Sequence, residues 1–162
     1  MDKKRKGKKI EIDYIKCVWG LLCSLSSIDQ ERNNISLFNI IEQVTLPKNF
    51  FEKQLADKKD YIFPLPHEIV LCWKRTFDTS VFNEEIFADF KIKTVDPLGR
   101  VLQEILNPIK FPPNMKRLRV RFAMQGVLAS EPGNYVHQIE MKVQNQKDFR
   151  KILEIPFEVV QK

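Results

Sequence analysis

Apolar and polar residues alternate with a period of two along most of the chain, which is the period of β-strands. The clearest alternation lies between residues 117 and 124. Leu118, Val120, Phe122 and Met124 share one face of it, and Arg117, Arg119 and Arg121 share the other. The pattern predicts strands at residues 15–27, 35–46, 67–77, 85–95, 99–106, 116–129, 134–143 and 149–160. Short strands at this spacing, separated by turn-forming residues, are typical of an antiparallel sandwich.

Several local features refine this pattern. The first segment is nearly all apolar, which predicts a strand covered on both faces, and polar residues 29–34 predict a hairpin turn after it. Phe50, Phe51 and Leu55 predict one short amphipathic helical turn in the irregular stretch 47–66. Pro156 lacks an N–H, so the last strand is expected at a sheet edge or at a bulge.

The predicted fold class is all-β: an antiparallel immunoglobulin-like β-sandwich of seven to nine strands, with a short helical or loop insert. Trp73 lies in the third predicted strand, where such domains bury a tryptophan between their sheets. Pro132-Gly-Asn-Tyr135 predicts a tyrosine corner, in which the phenol bonds to nearby backbone. His137 occupies the usual cysteine position, so no inter-sheet disulfide is expected there.

Five segments carry a resemblance to a known family: Cys23-Ser-Leu-Ser-Ser-Ile-Asp29, Asn34-Ile-Ser-Leu-Phe-Asn-Ile-Ile41, Phe63-Pro-Leu-Pro66, Pro132-Gly-Asn-Tyr135 and Ile155-Pro-Phe-Glu-Val159. On these segments the sequence resembles a family of small prokaryotic β-sandwich proteins, a domain of unknown function with an immunoglobulin-like outline. The resemblance covers residues 15–160 and implies the fold without implying catalytic residues. The lysine-rich start and residues 48–62 lie outside the shared pattern.

The net charge of +6 is concentrated at the start of the chain. The first nine residues hold one acid and six basic residues: Lys3, Lys4, Arg5, Lys6, Lys8 and Lys9. The remainder holds 21 basic and 20 acidic side chains and is close to neutral. We therefore predict a disordered basic tail at 1–9 and a single β-sandwich domain at 10–162.

The cysteines and the hydropathy pattern indicate a cytoplasmic protein. Cys17, Cys23 and Cys72 lie in apolar runs without a C-x-x-C motif, so buried free thiols are expected. A single disulfide between two of them is the alternative. No apolar run is long enough for a membrane-spanning helix. Residues 17–25 fit the apolar core of a secretory signal, but charged residues of both signs precede them, and a buried strand explains the run better. No cofactor and no metal site are predicted, since the histidines lie far from any paired cysteines.

The sequence predicts a protein without enzymatic activity. It lacks the nucleophile-elbow, phosphate-loop and dinucleotide-binding motifs, and Glu84 and Glu85 would point to opposite faces of a strand. His137 is expected to be a hydrogen-bonded core histidine, and His67 is expected at the surface near a loop.

Two basic segments are candidates for binding. Lys116, Arg117, Arg119 and Arg121 are predicted to contact an anion or an acidic partner; alternatively, cross-strand acids such as Glu140 or Asp89 neutralise them. The six basic residues of the tail are candidates for non-specific nucleic-acid or anionic-membrane contact, or they only aid solubility. The leading hypothesis is a binding or scaffolding module that recognises an unknown protein through an edge strand or loop end. The alternative is a nucleic-acid-associated protein that docks through the tail and the Arg117/Arg119/Arg121 stripe.

Overall fold

The computed structural model describes residues 15–32, 34–57, 59, 61–76, 83–144 and 146–162. The strands in these residues are β1 (Ile15–Asp29), β2 (Asn34–Ile40), β3 (Gln43–Leu46), β4 (Ile62–Phe63), β5 (His67–Arg75), β6 (Ile86–Val95), β7 (Val101–Phe111), β8 (Arg117–Met124), β9 (Val127–Leu128), β10 (Gly133–Val143) and β11 (Arg150–Gln161), and the helix is α1 (Lys48–Asp57). The all-β class is confirmed. The described residues contain eleven strands rather than seven to nine, because two strands have only two residues and one predicted strand is divided.

The strands form a four-stranded sheet in the order β2-β1-β5-β8, a five-stranded sheet in the order β3-β11-β10-β6-β7 and a small pair, β4-β9. Every pair is antiparallel except β11 with β3, which runs parallel and departs from the purely antiparallel prediction. The β1–β2 hairpin is confirmed, with Asp29 opposite Asn34. Asp29 Oδ1 accepts the N–H groups of Glu31 and Arg32 at 3.0 and 3.1 Å, which fixes the turn.

The prediction of one strand over residues 35–46 is wrong. Asn39 adopts a left-handed backbone with φ 50°, a conformation that asparagine tolerates better than most residues. The chain leaves the four-stranded sheet after Ile40 and enters the five-stranded sheet as β3. Phe38 and Ile40 consequently stay exposed, whereas Val44 is buried.

The two large sheets pack face to face at β1 and β11. A Cβ added to Gly20 would collide with Leu153, and it would lie 2.7 Å from Leu71 Cδ2, so a larger residue here would force these leucine side chains to shift. The prediction that β1 is covered on both faces holds only for part of the strand. Leu22 and Cys23 point to opposite faces and are both buried, whereas Val18, which lies at a register shift between Cys17 and Trp19, is exposed.

Trp73 occupies the centre of this core, as predicted. Its side chain is fully buried, 4.5 Å from the ring of Phe90 and 6.2 Å from the ring of Phe111 between centroids. Because Phe90 and Phe111 belong to the five-stranded sheet, the indole of Trp73 joins the two sheets.

The tyrosine corner is confirmed. Tyr135 is buried, and its hydroxyl donates to the carbonyl of Glu131 at 2.6 Å. The same oxygen accepts the backbone N–H groups of Ser130 at 3.0 Å and of Glu131 at 3.1 Å. Ser130 Oγ in turn donates to buried Asp96 at 2.9 Å, so the corner is tied to the β6–β7 turn.

Tyr135→Phe should therefore destabilise the fold. The substitution leaves two N–H groups and one carbonyl without their shared partner, and the cost should be about 0.5–1.5 kcal/mol, or more if these groups stay dry. Urea unfolding of both proteins measures the difference. Equal free energies of unfolding would contradict the role assigned to this hydroxyl.

The irregular segment and the last strand agree with the sequence in part. The helix is longer than the predicted turn; Phe51 faces the core, but Leu55 is 79% exposed and Gln54 is buried instead, donating to the carbonyl of Ala129 at 2.8 Å.

Pairing of β11 with β3 begins at Glu158, whose N–H donates to the carbonyl of Glu42 at 2.8 Å. Pro156 lies two residues earlier, so its nitrogen faces a part of the strand edge that β3 does not cover.

Candidate partner-binding face

The strand registers place three basic residues directly opposite one another on the four-stranded sheet. Lys16 on β1 pairs with Lys74 on β5, and Lys74 pairs with Arg117 on β8. Like charges in directly opposite positions repel across strands. The three basic residues therefore form one row across β1, β5 and β8.

Two further rows extend the same face. Arg119 lies opposite Cys72, and Arg121 lies opposite Val70. Cys72 and Val70 alternate with the core residues of β5, so they face away from the other sheet, yet both are buried. We define the cationic face as Lys16, Lys74, Arg117, Arg119 and Arg121.

One hydrogen bond and the pKa of Cys72 locate the guanidinium groups of the arginines on this face. Arg121 Nη1 donates to the carbonyl of Ser26 at 3.3 Å and so reaches across to β1. Burial raises the pKa of Cys72, while the charges of Arg119 and Arg117 act against this rise. Both guanidinium groups thus lie near the Cys72 thiol. Lys116, just before β8, is exposed beside them.

The acids expected to neutralise this stripe are elsewhere. Asp89 and Glu140 lie on β6 and β10 of the five-stranded sheet, 3.5 Å from Lys142 and 2.8 Å from Lys93. These two acids cannot neutralise the stripe, because β8 pairs with β5 and not with β6 or β10. On β5 itself, Glu68 lies on the same face as the stripe, opposite Ala123, which follows Arg121 on that face. Two more ion pairs, Lys91–Glu104 at 3.3 Å and Lys110–Glu85 at 2.6 Å, lie on the five-stranded sheet. The charges of the five-stranded sheet are therefore largely balanced by one another.

A cluster of exposed apolar side chains adjoins the cationic face. Leu25 and Phe38 are directly opposite each other in the β1–β2 hairpin and are 55% and 48% exposed, and Ile40 is 54% exposed. We call these three residues the hairpin patch. It begins one residue from Ser26, which accepts the hydrogen bond from Arg121.

The two histidines lie inside the protein. The surface position predicted for His67 is wrong: the side chain is 4% exposed, and Nδ1 lies 2.7 Å from the carbonyl of Leu65. Burial lowers the pKa of His67. The core position predicted for His137 is confirmed, with Nδ1 3.0 Å from Thr94 Oγ1 and the ring stacked on Phe157. Burial, and then the nearby His67, lowers the pKa of His137 to about 3.

Both histidines line one cavity between the sheets. Its volume is about 10 Å³, room for the centre of one water molecule. The other polar side chains in its lining are Thr94 and Gln103, and the rest are apolar. Among the described residues that line it, none is a carboxylate that could support proton transfer by either imidazole.

The cysteines lack the character of nucleophiles. All three are free thiols. Burial, with a smaller effect from Cys72, raises the pKa of Cys17 to about 11, and burial also raises the pKa of Cys23. A thiol with a raised pKa is protonated at neutral pH and reacts poorly. Across the described ranges, no group of three or more histidine, cysteine, aspartate or glutamate side chains is placed to hold a metal ion.

The predicted basic tail, residues 1–9, lies outside the described residues. Lys3, Lys4, Arg5, Lys6, Lys8 and Lys9 therefore have no assigned position relative to the cationic face. In the part of the chain that is described, no helix has both the length and the apolar character needed to cross a membrane.

Sequence reasoning found the arginines of the cationic face but missed Lys16 and Lys74. Both lysines lie within predicted strands, yet they join the face only because β1 and β8 flank β5 in a specific register. Register depends on how whole strands pair, and no motif in the sequence reports it. The hairpin patch was missed because residues 35–46 were predicted as one strand, in which Phe38 and Ile40 would share a face with Val44.

No family model matches the sequence, and no curated protein matches it. Among solved structures, the N-terminal domain of PorA is similar over 89% of this chain and 98% of that chain, with 5% sequence identity and a TM-score of 0.26. A likeness at this level carries no argument about fold or activity.

Proposed function

We propose that this chain is a non-enzymatic binding or scaffolding module that recognises another protein through the cationic face and the adjoining hairpin patch. The observation that carries the proposal is that Arg117 and Arg121, exposed on β8, share the outer face of the four-stranded sheet with the exposed Leu25 and Phe38. Basic and apolar side chains on one surface suit a partner surface that carries both acidic and apolar groups.

The chemistry of the two surfaces defines the partner. Arginine and aromatic residues are enriched at the energetic centres of protein interfaces. Arg117 and Arg121 supply fork-shaped donors for carboxylates, while Leu25 and Phe38 supply apolar area that binding would remove from water. The partner is accordingly an acidic protein surface with apolar side chains among its carboxylates.

The setting of this module is part of the proposal. The tyrosine corner, the buried Trp73 and the face-to-face sheets support an immunoglobulin-like arrangement. The proposal includes membership of the family of prokaryotic β-sandwich proteins that the sequence resembles. It also includes a cytoplasmic location, which suits three free thiols.

Photocrosslinking tests this function in cells of the source organism. A crosslinking amino acid replaces Arg117 in one full-length variant and Lys110, in the charge-balanced sheet, in a control. We expect one protein with an acidic surface to crosslink from position 117 and not from position 110. Equal crosslinking from both positions, or none from 117, would count against a binding role for this face.

The alternative function, nucleic-acid association, is favoured by the same row of cations together with the basic tail. Deleting residues 1–9 removes six basic side chains and one acid and lowers the net charge from +6 to +1. If the tail binds phosphates, the deletion should remove most of the affinity. It should also reduce the dependence of log affinity on log salt concentration, by a slope of up to about −5 for duplex DNA.

Mobility-shift assays at low salt, with DNA and RNA and with both forms of the chain, separate these cases. We expect weak, non-specific binding by the full chain that the deletion removes. Complete absence of binding eliminates the nucleic-acid function. Binding that survives deletion but disappears when Arg117, Arg119 and Arg121 are replaced would assign the nucleic acid to the cationic face instead.

A further inference from the structure

The ends of the two large sheets offer four edge strands, which differ in how well they could accept another strand. In β2, the left-handed Asn39 interrupts the backbone. The strand β3 has only four residues. In β7, Pro108 lacks an N–H, and the register shifts near Val95. Among these four edges, only β8 is a regular strand of eight residues without proline, bulge or left-handed residue.

The backbone of β8 has one side paired with β5 and one side turned away from it. The N–H of Arg75 donates to the carbonyl of Lys116 at 3.0 Å, so residues 116 and 75 form a hydrogen-bonded pair. In an antiparallel ladder such pairs alternate with pairs that point their groups the other way. The N–H and C=O groups of Arg117, Arg119, Arg121 and Ala123 consequently point away from β5. No strand in the described ranges pairs with this side.

The side chains of β8 are also arranged for a neighbouring strand. Leu118, Val120 and Phe122 pack against the core but are only half-buried. The arginines alternate with them on the opposite face. Directly opposite residues of paired strands share a face. An added strand would therefore complete this pattern if its apolar residues lay beside Leu118, Val120 and Phe122 and its acidic residues lay beside the arginines.

We propose that the open edge of β8 binds an extended segment of a partner in which acidic and apolar residues alternate. The segment adds a strand to the sheet, with its carboxylates on the side of Arg117 and Arg121 and its apolar side chains beside Val120. Main-chain hydrogen bonds supply affinity and the alternating side chains supply specificity. The inference rests on the proposed function and names the mode by which the partner is held.

The charges of β8 also oppose pairing of this edge with a copy of itself. Charged side chains on an edge strand oppose aggregation. Two β8 edges would bring arginines together, whereas an acidic strand meets no such repulsion. The same residues therefore reject one class of strand and select the other.

Fluorescence anisotropy with synthetic peptides tests this mode on the full chain. The probe is a labelled eight-residue peptide of alternating glutamate and valine, and its control has the same composition in two blocks, four glutamates followed by four valines. We expect the alternating peptide to bind at least about tenfold more tightly. Equal binding of the two peptides would overturn strand addition.

N-methylated peptides test the backbone contacts without altering the protein. N-methylation of all glutamates blocks the backbone amides on one side of the added strand. N-methylation of all valines blocks the amides on the other side. Only one of the two sets should abolish binding, because the amides on one side alone face β8. If both sets or neither set abolish binding, the peptide is not held as a strand.

Two double variants separate this inference from the proposed function. Arg117→Glu with Arg121→Glu should weaken binding of the alternating peptide at least about tenfold, while Lys53→Glu with Lys151→Glu, an equal change in charge, should not. If charge reversal weakens binding but neither methylated set does, the cationic face binds acids and strand addition is wrong. If crosslinking from position 117 fails as well, the proposed function fails with it.

Discussion

Trp73→Ala should lower the free energy of unfolding by about 3–5 kcal/mol. The indole is fully buried between Phe90 and Phe111, so its removal leaves a cavity where the two sheets meet. In a chain of this size the loss corresponds to a fall in melting temperature of about 10 °C or more. Urea unfolding and thermal melting of both proteins measure the effect.

Two control variants show whether the loss comes from the cavity. The Nε1–H of Trp73 is buried with no hydrogen-bond partner in the described structure, so Trp73→Phe keeps a ring in place and removes a desolvated donor. It should cost less than half as much as the alanine variant. Trp19→Ala removes a half-buried indole from the outer side of the sheet and should also cost less. If Trp73→Ala has the same melting temperature as the wild type, the core position of Trp73 is wrong.

The sequence predicted the strands well where alternation was regular and the partners lay nearby. The strands containing Trp73 and Tyr135, the β1–β2 turn and the tyrosine corner all follow from local patterns of apolar residues and turn formers. The strand predicted at 35–46 failed because Asn39 changes the direction of the backbone without any proline or glycine to mark the break. A period of two cannot report that Phe38 and Val44 belong to different sheets.

The candidate site was predictable only in the part that one strand carries. Arg117, Arg119 and Arg121 share a face because they alternate along β8, which the sequence states directly. Lys16 joins them across two intervening registers, and the acids proposed as their partners lie on another sheet. His67 illustrates a different limit: it begins the predicted strand after Pro66 and was expected at the surface near the preceding loop, yet this strand carries it into the core.

Acid should destabilise this protein through the two buried histidines. An exposed histidine in the unfolded chain has a pKa near 6.5, whereas burial lowers that of His137 to about 3 in the folded protein. The unfolded state therefore binds the proton more readily. The stability that neutral His137 supports is fully present above about pH 6.5 and is lost progressively as the pH falls toward 3. Burial of His67 acts in the same direction.

The expected loss from His137 is on the order of 3 kcal/mol between about pH 7.5 and pH 4, at about 1.36 kcal/mol for each pKa unit crossed. His67 is the other titratable group that lines the shared cavity, so no carboxylate there offsets a charge on either ring. His137→Gln keeps a polar group near Thr94 and cannot titrate. Urea unfolding at both pH values should therefore show a smaller acid loss in this variant, and the difference isolates the histidine from the surface carboxylates. An equal acid loss in both proteins would mean that His137 is protonated without opening the core, and that the cavity is hydrated well enough to hold the charge.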